Sequence, residues 1–178
     1  MIMIEKPLEG EYAPYAAGYI ALSPDDGYAI EHLKENAVVL KKMITALPEE
    51  KLLYRYDEGK WTIKEVLVHI IDSERIFSYR ALRIARNDTT PIPGFEQDDY
   101  TAFGNANERS IQNILEEYDA VRAATIALFS GLSDDAFNRK GTASDYPVTV
   151  RAIVHQIVGH EMHHIKILRE KYLSNLMQ

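Results

Sequence analysis

The sequence predicts an all-α fold, a four-helix bundle formed by a single domain. Four long segments repeat apolar residues at helical spacing, no pair of segments has the alternation of paired strands, and the connections carry Pro and Gly. A length of 178 residues is typical of one domain with its own core. We therefore assign residues 1–178 to one domain, with residues 1–23 as an irregular N-terminal arm.

The first two predicted helices have clear sequence signals at their ends. Ser23-Pro24-Asp25-Asp26 is a helix-start signal, and Pro48 ends the helix that follows. The apolar stripe of this helix is Ile30, Leu33, Ala37, Leu40, Ile44 and Leu47. The second helix begins at a capping box, in which Thr62 and Glu65 each satisfy a free backbone N–H, and it extends to about Asn87. Its predicted buried residues include Val66, Ile70, Phe77 and Ile84.

The second pair of helices follows a long connection. Residues 88–106 form a segment of 19 residues that could cross the length of a helix, as happens where consecutive helices of a bundle run parallel. The third helix begins near Asn107, and residues 133–148 form a polar connection to the fourth. Thr149 caps the fourth helix, which extends to about Leu173. The stripe of the third helix is Ile111, Leu115, Tyr118, Val121, Thr125, Leu128 and Leu132, and the fourth carries Val150, Ile153, Val154 and Ile157.

The composition restricts the chemistry and the partners. The chain has no cysteine, so a metal would have to be held by His, Asp or Glu, and a thiol could take part only as a substrate. The net charge of -7 argues against nucleic acid or an anionic membrane as a partner. No signal peptide and no apolar stretch of membrane-spanning length is evident, so we expect a cytoplasmic protein.

Four of the six histidines lie between residues 155 and 164. His160 and His164 are one helical turn apart on one face, a spacing that lets two imidazoles reach the same metal ion. They also continue the apolar stripe of the fourth helix, so both fall where core residues are expected. Burying two imidazoles is costly unless a shared partner satisfies them. The alternative is a pair of core or surface histidines with ordinary hydrogen bonds.

His69 is the candidate third ligand. It lies in an apolar turn of the second helix, and three protein ligands that leave one position open are the usual plan of a reactive metal site. Asp72, Ser73 and Glu65 lie within a turn of His69, so each could orient its ring or could instead be a solvated residue.

The remaining histidines are placed outside the ligand set. His155 is about 140° from His160 around the helix, which separates the two side chains. His163 points off the stripe, and His32 has no neighbouring ligand in the sequence.

The segment from His160 to His164 formally matches H-E-x-x-H, the motif of zinc proteases. We reject the protease hypothesis because the 14 residues after His164 contain no histidine, and because no strands are predicted to bind a peptide substrate. Glu161 remains a candidate catalytic acid–base group, and a solvated helix glutamate is the alternative.

Two blocks of the sequence resemble the DinB/YfiT-like superfamily. They are the segment 59–65 with His69 downstream, and the segment 159–165 that contains His160 and His164. The resemblance covers residues 25–173. It implies a four-helix bundle in up-down-down-up order, a divalent metal held by these three histidines, and often a homodimer.

The resemblance also frames the functional hypotheses. Characterised members include S-transferases that use low-molecular-weight bacterial thiols and a thiol-dependent isomerase. We therefore expect a metal-dependent enzyme that acts on a small molecule, most simply a thiol S-transferase with zinc or nickel. The alternatives are a hydrolase that uses metal-activated water and a non-catalytic metal-binding or stress-response module.

Side chains near the predicted site could contact the substrate. Arg75, Arg80 and Arg83 lie on the second helix, and Tyr56 and Trp61 precede it. Surface ion pairs for the arginines and core packing for the aromatic residues are the alternatives.

Overall fold

The computed structural model describes residues 2–174 and confirms an all-α bundle. In chain order the helices are α1 (Ala17–Leu22), α2 (Ala29–Thr45), α3 (Ile63–Ala85), α4 (Gln97–Phe103), α5 (Ile111–Ser130), α6 (Asp134–Phe137) and α7 (Val150–Ile167). A hairpin of β1 (Lys140–Ala143) and β2 (Tyr146–Thr149) precedes α7, and a π-helical segment, Leu168–Leu173, continues it.

The four long helices form a ring in which α3 packs against α5 and α7, and α2 packs against the same two helices. Consecutive long helices α2 and α3 therefore lie diagonally opposite each other. The stripe predicted for the first helix is buried at Ile30, Leu33, Leu40 and Ile44. All four positions predicted to be buried on α3 are buried.

Side-chain contacts fix the direction of α5 relative to α3. Glu74 pairs with Arg122, and one turn further along both helices the hydroxyl groups of Ser78 and Thr125 lie 3.0 Å apart. Residue numbers rise together in the two helices, so α3 and α5 run parallel. The long connection makes this possible because it returns the chain to the end at which α3 begins.

Two of the three remaining contacts of the ring, α2 with α5 and α3 with α7, are antiparallel. Along α2 the partner on α5 moves backwards, from Arg122 beside Leu33 to Asp119 beside Lys41. His69 of α3 faces His160 of α7. Trp61, just before α3, instead accepts a hydrogen bond from Tyr172, in the π-helical segment that continues α7, so residue numbers run in opposite directions. The order is therefore up-down-down-up, as the resemblance implied.

The helix starts agree with the sequence at two of four places. The start signal at residues 23–26 lies too early, because α2 begins at Ala29 and no side chain of the described residues caps it. At the start of α3 the Glu65 N–H donates to the Thr62 hydroxyl over 3.1 Å, and the Thr62 N–H donates to the Glu65 carboxylate over 2.7 Å. Thr149 caps α7 as predicted. The start predicted for the third helix, near Asn107, is wrong because the Ser110 hydroxyl accepts the hydrogen bond that begins α5.

Short elements within the predicted arm and connections are further differences. Residues 2–23 include α1, the long connection includes the exposed helix α4, and the segment 133–148 contains α6 and most of the hairpin. The hairpin turns through Ser144 and Asp145, both with positive φ. Neither residue is glycine, and each strand is four residues long, so the usual sequence signals are weak.

One buried ionic cluster connects the four long helices. Arg122 of α5 pairs with Glu74 of α3 at 2.8 Å and with Glu161 of α7 at 2.9 Å, and it donates to the carbonyl of Leu33 in α2. The Tyr118 hydroxyl also donates to Glu161, over 2.5 Å. We call these residues the Arg122 cluster. The charged side chains of the cluster are almost completely buried, and a buried charge is strongly destabilising unless an opposite charge pairs with it.

The short helix α1 packs tightly on α7, the helix that carries four histidines. A Cβ atom added at Gly159 would lie 1.8 Å from the carbonyl oxygen of Tyr19. Only a glycine therefore allows the backbones of α1 and α7 to approach so closely at this crossing.

Replacing Gly159 with alanine is expected to push α1 away from α7. The obstructing atom belongs to the backbone and cannot rotate aside, so we expect a loss of about 1–3 kcal/mol in the free energy of unfolding. Urea unfolding measures this loss. Gly18→Ala is the matched control because a Cβ there meets no atom of residues 2–174 within 4 Å. An equal effect of both substitutions would contradict the close crossing.

Within residues 2–174, no helix is both long and apolar enough to cross a membrane.

Candidate metal centre

Three histidines from two helices meet in the interior of the bundle. The Nε2 atom of His160 lies 3.0 Å from that of His69 and 3.2 Å from that of His164. The three candidate ligand atoms all lie within 4.8 Å of one another. The antiparallel packing of α3 and α7 thus brings together the three residues that the sequence analysis singled out.

The environment keeps these imidazoles neutral. Burial lowers the pKa of His69 to about 4, and it holds the pKa values of His160 and His164 well below the ordinary range. A neutral imidazole is the form that binds a metal ion. Burial thus favours the protonation state that ligation requires.

Hydrogen bonding alone does not satisfy this arrangement. A ring nitrogen offers either one proton or one lone pair, yet His160 Nε2 faces two other Nε2 atoms. Two nitrogens about 2.05 Å from a tetrahedral zinc ion would lie about 3.3 Å apart, close to the observed separations. The residues therefore fit a divalent metal held by three imidazoles.

Aromatic rings surround the cluster. Trp61 lies with its ring centroid 4.7 Å from that of His69, while Tyr19 and Phe77 meet the His160 ring edge-on at 5.2 and 5.7 Å. These contacts restrict the rotation of the imidazoles and displace water from their faces.

The other histidines have separate roles. Both ring nitrogens of His155 are engaged, with the Ser23 hydroxyl at 2.7 Å and the Ile4 carbonyl at 3.2 Å. His32 contacts two surface carboxylates. His163 is half-buried beside Tyr19 and lines one opening of the site.

Glu161 belongs to the Arg122 cluster. Its contacts are with Tyr118 and Arg122, and burial raises its pKa despite the opposing effect of Arg122. The three residues proposed to orient His69 show no hydrogen bond to it; Glu65, for example, caps α3 instead.

Two cavities among the described residues are lined by histidines of the cluster. The first has a volume of about 370 Å³ and is lined by His160, and the second has a volume of about 340 Å³ and is lined by His164. Asp98 of α4 lines both cavities. We call them the His160 cavity and the His164 cavity.

The candidate substrate contacts divide between these cavities and the surface. Arg80 lines the His160 cavity, whereas Tyr56 and Trp61 line the His164 cavity. Arg75 and Arg83 instead form ion pairs with acidic neighbours. Other residues of the His160 cavity were missed because they come from the arm, from α4 and its preceding loop, and from a polar position of α7; they include Tyr15, Tyr19, Phe95 and Gln156.

The sequence-family model of the DinB superfamily matches residues 32–168 of this chain. The chain belongs to the DinB superfamily. Its similarity to curated members is low but extensive. It is 24% identical to YfiT of Bacillus subtilis over 164 residues, which cover 90% of each chain. It is 23% identical to OB0413 of Oceanobacillus iheyensis over 138 residues, 76% of this chain and 79% of the relative. Both relatives are provisionally named metal-dependent hydrolases.

Solved structures of DinB-superfamily proteins show the same fold. The structure of Bacillus subtilis YfiT, described as a four-helix bundle of unusual topology, matches with a TM-score of 0.78 at 20% identity, over 97% of this chain and 94% of that one. The DinB-like protein YjoA of Bacillus subtilis matches with a TM-score of 0.60 at 17% identity, over 84% and 92% of the two chains.

Proposed function

We propose that this DinB-superfamily protein is a metal-dependent enzyme that acts on small molecules. His69, His160 and His164 would hold zinc or nickel, both of which accept imidazole ligands. A divalent ion held in this way supplies Lewis acidity, lowering the pKa of a water or thiol bound beside the imidazoles. The observation that carries the proposal is the convergence of three buried imidazoles beside two cavities.

The surrounding side chains would prepare the site for reaction. Tyr19, Trp61 and Phe77 hold the imidazoles in place and keep water from their faces. Burial raises the pKa of Tyr19, so its hydroxyl stays protonated and can donate a hydrogen bond within the His160 cavity. A fixed, largely dry site strengthens every electrostatic interaction with a substrate.

We favour transfer of a low-molecular-weight thiol as the reaction. A transferase must bring two substrates together, and the two cavities offer separate binding places beside His160 and His164. The chain contains no cysteine, so the sulfur would come from the thiol substrate. The Tyr56 and Trp61 side chains give the His164 cavity an aromatic wall.

Hydrolysis is the second candidate because the curated relatives carry that provisional name. The same three histidines would serve, with water in place of the thiol. A purely structural metal is less favoured, because such sites are normally closed by four protein ligands and the described cluster offers three.

Turnover with and without a thiol separates the two reactions. The zinc-loaded and nickel-loaded proteins would be given 1-chloro-2,4-dinitrobenzene with cysteine or coenzyme A, and separately 4-nitrophenyl acetate without thiol. We expect thioether formation at least about tenfold above a His164→Ala control, since that variant lacks one of three ligands. Ester hydrolysis without thiol, together with no thioether formation, would favour the hydrolase and contradict the transferase.

A further inference from the structure

Two arginines are buried to the same extent but differ in their partners. Arg122 and Arg80 are each 4% exposed. Arg122 pairs with Glu74 and Glu161, whereas Arg80 has no carboxylate partner among residues 2–174. Burial lowers the pKa of Arg80, and the neighbouring Tyr15 side chain opposes this effect only in part. A guanidinium placed in this way has an unmet preference for a negative charge.

The contacts of Arg80 use only part of its donor set. Its Nη2 atom donates to the Pro93 carbonyl and to the Ser144 hydroxyl, each over 3.0 Å. Its Nε atom is buried and has no acceptor in the part of the chain that the structure describes. The guanidinium also faces the Phe95 ring at 5.8 Å. Arg80 is therefore held by the loop before α4 and by the hairpin, and it retains an unused hydrogen-bond donor.

Arg80 lies on the wall of the cavity that reaches the histidine cluster. Arg80 and His160 both line the His160 cavity, and Phe77 and Phe95 provide apolar surface in it. The volume of about 370 Å³ suits a small organic molecule. Glu96 and Asp98 also line this cavity, but both are exposed to solvent, which screens their charges.

We propose that Arg80 binds an anionic group of the substrate, so that the His160 cavity accepts small organic acids with an apolar body. A guanidinium matches carboxylate and phosphate groups because it can donate parallel hydrogen bonds to two oxygens. Phe77 and Phe95 would contact the apolar body, and the reacting end would lie toward His160. This inference rests on the proposed function for its role, because it names the class of substrate that the same site takes.

Calorimetric titration of the full chain, stripped of metal with a chelator, tests the inference. Benzoate, phenyl phosphate and the neutral benzamide are the probes, and metal-free protein prevents an anion from binding through a metal ion. We expect at least one of the two anions to bind about tenfold or more tightly than benzamide. The preferred anion identifies carboxylate or phosphate as the recognised group. Arg80→Met should weaken that binding by about tenfold or more.

Arg75→Met is the matched control because it removes one positive charge from the same helix, outside the His160 cavity. It should leave anion affinity within about twofold of the parent, a change too small to indicate a lost contact. Equal binding of benzamide and both anions by the unmodified protein would overturn the inference, and this comparison holds even if Arg80→Met fails to fold. Equal anion affinity in folded Arg80→Met and the parent would also overturn it. These measurements need neither metal nor turnover, so they can fail or succeed independently of the proposed enzyme activity.

Discussion

Replacing His160 with alanine is expected to abolish stoichiometric metal binding. His160 Nε2 lies between the Nε2 atoms of His69 and His164. The substitution therefore removes the central ligand and leaves two of the three candidate ligands. We expect affinity for zinc or nickel to fall by more than about a hundredfold, beyond the loss typical for residues that only orient a ligand. Elemental analysis of untagged protein, after incubation with each metal and dialysis, measures the bound ion.

The matched control is His163→Ala. His163 lies on the same helix and contacts the His164 ring, but it lies outside the group of three candidate ligands. This variant should retain about one metal ion per chain, as expected if three other imidazoles provide the ligands. Absence of metal from the parent protein after incubation with zinc and nickel would refute the site, as would equal retention by His160→Ala.

Replacing Arg122 with methionine is expected to cause the largest loss of stability. The change leaves Glu74 and Glu161 buried without their cation, and such losses typically cost about 3–5 kcal/mol. Urea unfolding of metal-free protein, followed by circular dichroism, measures the free energy of unfolding. A variant with Gln at both acidic positions and Met at Arg122 should recover part of the loss, because no buried charge then remains unpaired.

The loss should also depend on pH. Burial already raises the pKa of Glu161, and removing Arg122 takes away the charge that opposes this rise. A carboxyl group whose folded pKa exceeds its unfolded pKa stabilises the fold at low pH, and that stability is lost as pH rises through the folded value. The difference between the variant and the parent should therefore be larger at about pH 7.5 than at about pH 4.5.

Lys41→Met provides the comparison for a surface charge. Lys41 pairs with Asp119 at 2.8 Å between α2 and α5, but both side chains are exposed. Its removal should cost no more than about 1 kcal/mol. A loss below about 1 kcal/mol for Arg122→Met as well would show that the Arg122 cluster adds little to stability.

The main features of the fold were predictable because they depend on periodic patterns. The stripe of α2 and the buried positions of α3 follow from apolar spacing, and the Thr62 cap follows from its Glu65 partner. The hairpin and α1 were missed because each is short and is stabilised by contacts distant in the sequence. Gly159, for example, gives no local sign that it meets the backbone of Tyr19.

The candidate site was predictable to the extent that it lies on regular helices. Helical spacing placed His160 and His164 on one face, and the position of His69 in an apolar turn of the second helix made it the candidate third ligand. The Arg122 cluster was missed, although Arg122 falls at a buried position of α5 between Tyr118 and Thr125. A charged residue in an apolar stripe is a usable signal for a buried ion pair. The residues that α1 and the loop before α4 contribute to the His160 cavity follow no comparable sequence pattern.

The tight crossing of α1 over α7 affects which residues a shortened, functional form of the chain must contain. The superfamily match spans residues 32–168, which contain all three histidines, yet Tyr15 and Tyr19 lie before it and Tyr172 lies after it. A chain shortened to the matched span would keep every candidate ligand but would leave one side of each cavity open to solvent. Such a fragment could retain a metal ion and still lose selectivity among substrates, so a boundary chosen from the shared segment alone would separate the ligands from their enclosure.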